Sequence, residues 1–352
     1  MTVKFSRSLA DPDWDAFLQT TNLGQYQQSS MWARYKAAEG WQPLRYLFTD
    51  DGRILGGFQV LCKETRLGRV GYVPKGPVLP EGGPAGYERA IDRMVRAAHE
   101  HDLRALIAQP PDDCSEASGI LKQKGFIGSH LLNVIDSTLV IPLDSDFNNV
   151  LRRMNRETRR RIRQSQETNL SLREGEKEEL SVFFDLMGAT CRRQGSSRLN
   201  PSSASLLLTL WEAFRQGNNI RLTFAIDSGE ILAGLLCIPF GNRVTLWKKG
   251  WSGSGAEFRP NESLYSDAIS WAHRNQFAVC DFAGLDREVA LSLISGNALS
   301  DSQKKSRDVF NLRFGGVPKL LPQAMIYIKS NLLRYTFHLI NNKIHTAPNI
   351  FR

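Results

Sequence analysis

Two stretches of this 352-residue chain run through the same order of elements. In the first, apolar alternation predicts strands over Leu44 to Phe48 and Ile54 to Cys62, joined by the turn Thr49-Asp50-Asp51-Gly52. A third strand, Gly71 to Lys75, precedes a helix over Tyr87 to His101 and an apolar strand, Leu103 to Ala108, stopped by Pro110-Pro111. A short helix, Ser115 to Lys124, ends at Gly125, and Ser137 to Leu143 reads as a further strand. In the second stretch, helices over Glu178 to Arg193 and Ser203 to Arg215 lead into strands Ile220 to Asp227, Ile231 to Phe240 and Arg243 to Trp251. The loop Ser252-Gly253-Ser254-Gly255, a helix over Asn261 to Asn275 and a strand over Ala278 to Phe282 complete it. The halves share order and no sequence identity. The expected fold is α/β (mixed α+β): two domains, each a mostly antiparallel sheet flanked by helices.

Composition narrows the class. Hydrophobic residues make up 41% and charged residues 23%, enough for two packed cores. The longest apolar run, Ile231 to Phe240, falls far short of the ~20 residues a membrane span requires. The opening MTVKFSRSLADPDW carries no secretion-type apolar stretch, and five scattered cysteines form no Cys-x-x-Cys pair. A cytoplasmic setting and no structural zinc are expected. His99 and His101 are two apart on a predicted helix and cannot share a metal, and no nucleophile elbow, Walker loop or His-Glu-x-x-His occurs.

The net charge of +9 asks for an anionic partner, and its distribution says where. Residues 152–163 hold seven arginines and one acid, Glu157. On a helical wheel Phe147, Val150, Leu151, Met154, Thr158 and Ile162 share an apolar face, with most arginines outside it and Arg161 within. Either this is a solvated basic face with Arg161 snorkelling, or Arg159, Arg160 and Arg163 follow a phosphate backbone. In the second case Arg161 requires an internal carboxylate or a bound phosphate. The loop holding Ser254 and Arg259 precedes a helix, where free N–H groups attract anions, although such loops are also ordinary connections. From Val309 onward there is no Asp or Glu against six bases, with Ile326, Leu332, Leu333, Tyr335, Phe337, Leu339 and Ile340 among them. That tail either packs on the body of the protein or rests peripherally on an anionic membrane surface.

Several motifs in order carry a resemblance. Gln28-Ser-Ser-Met-Trp-Ala-Arg-Tyr-Lys36 with Gly40-Trp41, then Tyr72-Val-Pro-Lys-Gly-Pro-Val78, Arg159-x-x-Ile162-Arg163, Tyr265 to Ala272, Asp281-Phe-Ala-Gly284 and Phe310-Asn-Leu-Arg-Phe-Gly-Gly316 together resemble the FemABX family. The resemblance spans residues 28 to 316. It implies two GNAT-like domains, the first completed by the chain end: 1–144 plus 317–352, and 145–316. It also implies transfer of an amino acid from aminoacyl-tRNA to an amine of a lipid-linked or nucleotide-linked peptidoglycan precursor, with no cofactor beyond the aminoacyl-tRNA co-substrate. An aminoacyl ester is already activated, so the enzyme mainly positions two substrates and stabilises an oxyanion. No conspicuous catalytic base is expected, and none is assigned.

Carried over by position, Lys36 and Arg198 match contacts to the precursor's phosphates. Lys249, flanked by Trp247 and Trp251, falls near a family tyrosine lining the acceptor site. Phe310 matches the aromatic of a Phe-Lys pair at the tRNA acceptor end. The lysine of that pair is Asn311 here, and Arg313 replaces it if the segment is extended, since residues two apart then share a face. Gln109 stands where the family often has Asp, so it cannot act as a base. These departures keep two further readings open: an acyl-CoA-dependent N-acyltransferase of envelope or polysaccharide biosynthesis, and a catalytically silent RNA- or membrane-binding scaffold.

Overall fold

A computed structural model describes residues 2–346 apart from 67, 145, 197 and 307. The strands in chain order are β1 (Thr2–Ser6), β2 (Gln42–Asp50), β3 (Arg53–Thr65), β4 (Gly68–Val73), β5 (Ala105–Ala108) and β6 (Ile127–Gly128). They continue as β7 (Ser137–Pro142), β8 (Ser171–Glu174), β9 (Arg221–Asp227), β10 (Glu230–Phe240), β11 (Arg243–Trp251), β12 (Val279–Asp281), β13 (Val317–Leu320) and β14 (Met325–Ile328).

Two seven-stranded sheets form, in the orders β1-β2-β3-β4-β5-β14-β6 and β13-β7-β12-β11-β10-β9-β8. The repeated order in the sequence is thus a repeated topology. In each sheet a hairpin and third strand lead through a helix to a strand that pairs parallel with that third strand, β4 with β5 and β11 with β12. The other pairings are antiparallel. Both hairpins turn through two residues of positive φ, Asp51-Gly52 and Ser228-Gly229, the backbone that matches the twist of the flanking strands.

The chain forms two compact units, residues up to Asp136 with those from Leu321 onward, and Ser137–Leu320. Both boundaries differ from the expected 144 and 317. The strand Ser137–Pro142 leaves the first unit because it pairs with β12 and β13 in the second sheet. Val317–Leu320 also stays in the second sheet, and the return to the first unit is made by β14, which inserts between β5 and β6.

In the first unit the helix Gly83–Glu100 lays Ala90, Ile91, Met94, Ala97 and Ala98 on Tyr46, Phe58 and Leu106 of the sheet. The family-like Gln28-Ser-Ser motif proves to be part of its architecture. Gln28 accepts from the Gln59 N–H at 2.7 Å and donates to the Pro74 carbonyl at 2.5 Å, while Gln59 donates to the Ser29 carbonyl at 3.0 Å. Arg45, fully buried, donates to Gln59 at 2.5 Å and pairs with Asp11 at 3.1 Å. Gln109 is a latch: its amide donates to the carbonyls of Ile135 at 2.7 Å and Pro322 at 3.1 Å.

In the second unit the helix Pro260–Arg274 packs Leu264, Tyr265, Ala268 and Ile269 onto one face of β10 and β11. The helix Leu180–Arg193 covers the opposite face, and glycines allow the approach. A Cβ at Gly250 would stand 2.6 Å from the Leu186 Cβ and 2.8 Å from its backbone; one at the facing Gly234 would meet Phe183 at 2.8 Å.

Candidate active site

The site is built on a defect in β11. Its register against β10 pairs Cys237 with Leu246 but Leu236 with Lys248, so Trp247 is one extra residue on β11, a β-bulge. Val244 and Leu246 face the core under the helix Pro260–Arg274. Strict alternation would send residue 248 to that same face and 249 away from it. The bulge reverses the parity, so Lys249 and Trp251 point toward the helix and Gly250 toward Leu186.

Lys249 Nζ therefore sits over aromatic rings, 4.4 Å from the centre of Phe310 and 5.3 Å from that of Tyr265. Tyr265 stacks on Phe282 and Phe314 at 5.5 and 5.3 Å between centres, and meets Phe310 edge-on at 5.4 Å. Each such ring pair adds about 0.5–1.5 kcal/mol beyond its buried area, which makes this wall rigid. Among the described residues no carboxylate forms an ion pair with Lys249. Burial pulls its pKa down to about 8; the Glu262 carboxylate pushes it back up, and Arg193 lowers it further.

Glu262 is occupied by another cation. It lies in the first turn of the helix Pro260–Arg274 and pairs with Arg161 Nη1 at 3.1 Å, and Arg161 also holds Glu157 at 2.9 Å. Of the two ways to satisfy Arg161, the structure contains the internal carboxylate. The arginine segment is two helices, Phe147–Arg153 and Arg156–Gln166, with Asn155 capping the second. The inner row nevertheless holds across the break, with Val150, Met154, Thr158 and Ile162 all buried. Arg159 donates to the carbonyls of Leu151 and Arg152 at 3.3 and 3.2 Å, satisfying the end of the preceding helix. Arg160 grips Glu157 with two bonds of 2.8 and 2.7 Å, and together with Arg161 holds that carboxyl down to about 2. Arg163 is exposed.

A second cluster borders Trp251. Arg193 lies over its ring at 4.6 Å and donates to the carbonyls of Ser252, at 2.7 Å, and Trp251. Trp251 Nε1 in turn donates to the Ser254 carbonyl at 2.8 Å, fixing the loop. Arg259 enters the helix with φ of 58°, and its Nε is buried without a partner. Trp247 is covered by Lys248 at 5.1 Å. Arg198 is exposed on the loop after Leu180–Arg193. In the other unit, Lys36 pairs with Glu39 and lies over Trp32 and Tyr35 at 5.7 and 5.5 Å.

The expectation for Arg313 needs correction. Phe310 and Asn311 lie on the helix Asp308–Leu312, where residues two apart point about 200° apart instead of sharing a face. Arg313 therefore does not take over position 311 in the way an extended segment would allow; its carbonyl accepts from the Asn155 N–H at 2.8 Å. Sequence reasoning assigned no role to Arg193, Glu262, Tyr265 or Phe314. The required carboxylate for Arg161 was the one available signal, but Glu262 lies 101 positions away. Among the described residues no group of three or more His, Cys, Asp or Glu side chains is placed to hold a metal.

The acetyltransferase (GNAT) domain family matches residues 150–288, most of the second unit. Lipid II:glycine glycyltransferase of Staphylococcus aureus strain MRSA252 is 21% identical over 343 residues, covering 93% of this chain and 80% of that protein. A crystal structure of FemX superposes with a TM-score of 0.81 at 18% identity, covering 96% of this chain and 99% of that one. The chain thus carries an acyltransferase (GNAT) domain and is similar along nearly its whole length to the lipid II:glycine glycyltransferase and, in fold, to FemX. L-PGS from Bacillus licheniformis shares the fold more distantly, with a TM-score of 0.56 at 13% identity over 97% of this chain and 99% of that one. In this chain Lys249 supplies an amine to the site. It faces the aromatic wall of Tyr265 and Phe310, and position 311 beside that wall holds Asn, so the cation expected there is absent.

Proposed function

We propose that the protein transfers an aminoacyl group from aminoacyl-tRNA to an amine of a lipid-linked peptidoglycan precursor, with Lys249 handling the proton. The observation that carries this reading is the Lys249 amine held over Phe310 and Tyr265 with its basicity lowered. Named relatives that transfer glycine on lipid II support the acceptor class.

The chemistry follows from the group's pKa. The attacking amine forms a bond to the ester carbonyl carbon and releases a proton, which neutral Lys249 takes up at Nζ. The tetrahedral intermediate breaks its bond to the ribose oxygen, and the Lys249 ammonium returns the proton to that leaving oxygen. While protonated, the same ammonium stands beside the oxyanion and stabilises it. Lys36 and Arg198 are the proposed contacts for the precursor's phosphates, with Arg163 and the loop around Ser254 and Arg259 offered to the tRNA.

An acyl thioester is the second reading, favoured by the missing cation at Asn311. Transfer from charged tRNA and from acyl-CoA, with binding of each measured across a salt series, decides between them. A tRNA donor requires a steep fall of affinity with salt and transfer to an amine acceptor. Saturable, salt-tolerant CoA binding without tRNA preference overturns the reading. Lys36→Ala and Arg198→Ala are expected to weaken binding of a diphosphate-linked precursor; unchanged affinity removes both from the acceptor site.

A further inference from the structure

The amine of Lys249 is held differently from those of lysines elsewhere in the chain. Lys36, Lys75, Lys124, Lys177 and Lys329 each pair with a carboxylate. Lys63 donates to the Glu39 carbonyl at 2.7 Å. Among the described residues Lys249 Nζ has no ion pair and no hydrogen-bond acceptor; the ring faces of Phe310 and Tyr265 are its neighbours. Glu262, the carboxylate that acts on it, is bonded to Arg161 at 3.1 Å. Burial alone does not make this difference, since Lys75 is buried too but donates to Asp112 at 2.6 Å.

An amine bonded to a carboxylate is kept in its charged form and has no lone pair to offer. One desolvated against aromatic rings, with no counter-charge, is driven toward the neutral form, which is a nucleophile. Three further features of Lys249 are those of a reacting group. The stack of Tyr265 on Phe282 and Phe314, with Phe310 edge-on, keeps its surroundings rigid. The side chain is partly rather than fully buried, so a reagent reaches it from solvent. The bulge at Trp247 and the close approach of Gly250 to Leu186 fix the strand that carries it.

We propose that Lys249 is itself an acylation site: when an activated acyl ester or thioester enters without an acceptor amine, Lys249 Nζ takes the acyl group and the protein blocks itself. Nζ forms a bond to the carbonyl carbon, the bond from that carbon to the leaving oxygen or sulfur breaks, and an Nζ proton goes to the leaving group. The products are a neutral amide on Lys249 and a free alcohol or thiol, and the step is downhill because an activated ester becomes an amide. The amide nitrogen is not basic, so it cannot take a proton from a later acceptor. With an acceptor bound, the acceptor nitrogen stands between Nζ and the carbonyl carbon, and Nζ reaches only the proton. The order of arrival therefore decides between transfer and self-acylation, a step that rests on the donor placement proposed above.

Incubation of the full chain with p-nitrophenyl acetate near neutral pH, followed by peptide mass spectrometry, tests the nucleophile without tRNA or precursor. One acetyl group is expected on Lys249, roughly tenfold or more faster than on the exposed Lys122 and Lys305, because an amine of lowered pKa is neutral far more often at that pH. Lys249→Arg and Lys249→Met should both lose the fast phase and keep the slow labelling elsewhere, with thermal melts showing that each is folded. Equal labelling of Lys249 and the exposed lysines, or a fast phase that persists in both variants, overturns the proposal. Charged tRNA or acetyl-CoA given alone should leave the same amide and reduce later transfer, and acceptor added first should prevent it. Transfer that proceeds while Lys249 stays unmodified by p-nitrophenyl acetate and by the donor alone refutes self-acylation and leaves the transfer reaction standing. Lys249 acetylated with no transfer from either donor refutes the transfer reaction alone.

Discussion

Lys249 Nζ stands 4.4 Å from the centre of the Phe310 ring, and these two residues come from segments 61 positions apart. A lysine over an aromatic wall keeps a cation–π attraction for its charged form, yet burial outweighs it and leaves the pKa near 8.

Stability follows from this by linkage. The folded pKa, about 8, lies below the ordinary 10.5, so between these values the unfolded chain binds one more proton. Stability therefore rises with pH across that window, and the cost of the buried charge is fully present below it. Lys249→Met is expected to stabilise the protein at pH 7 by up to about 3 kcal/mol, at about 1.4 kcal/mol per pKa unit. The gain should shrink toward pH 10 in chemical-denaturation curves. A variant less stable than wild type at pH 7 refutes the account.

The rate should carry the same titration. With Lys249 as proton acceptor, kcat/KM for the acceptor amine rises through a pKa near 8, and Lys249→Arg, which keeps charge but cannot deprotonate, loses about 100-fold or more. Glu262→Gln removes the carboxylate that holds this pKa up, so the rising limb should move to lower pH. A limb that stays in place in Glu262→Gln separates Lys249 from the titrating group.

At Gly250 a side chain has nowhere to go, since its Cβ would come within 2.8 Å of the Leu186 backbone. Gly250→Ala is expected to cost about 1–3 kcal/mol and to displace the neighbouring Lys249. Thermal melts and activity should fall together; loss of neither would mean that the helix Leu180–Arg193 is free to move.

In the first unit, Lys75 and Asp112 form an ion pair of 2.6 Å with side chains 8% and 3% exposed. Asp112→Ala takes away the partner of a buried ammonium and should destabilise by about 3–5 kcal/mol. Asp112→Ala with Lys75→Met is expected to recover part of that loss, because the uncompensated charge has gone.

Much of this protein is written locally. Apolar alternation marked β2, β3, β9, β10 and β11, and Asp51-Gly52 and Ser228-Gly229 marked both hairpin turns, because these signals depend only on neighbours in the chain. The repeated order of elements and the ordered motifs pointed to the family fold, and the bases of the second half located the charge. Gln109 as a latch and Asp112 as the counter-charge of Lys75 were not legible. Their partners are distant in sequence, and nothing in the local pattern distinguishes a buried amide from an exposed one.

Element type and order were therefore decided by the sequence alone, through side-chain period and turn chemistry. Which sheet received the strand Ser137–Pro142, and which face of β11 received Lys249, depended on pairing between segments that no local window contains. A single extra residue, Trp247, inverts the face of everything after it. Across that bulge β10 pairs on both sides, and Gly250 lies under Leu186. Only the assembled sheet, with its helix on each face, turns an ordinary lysine in a strand into an amine over an aromatic wall.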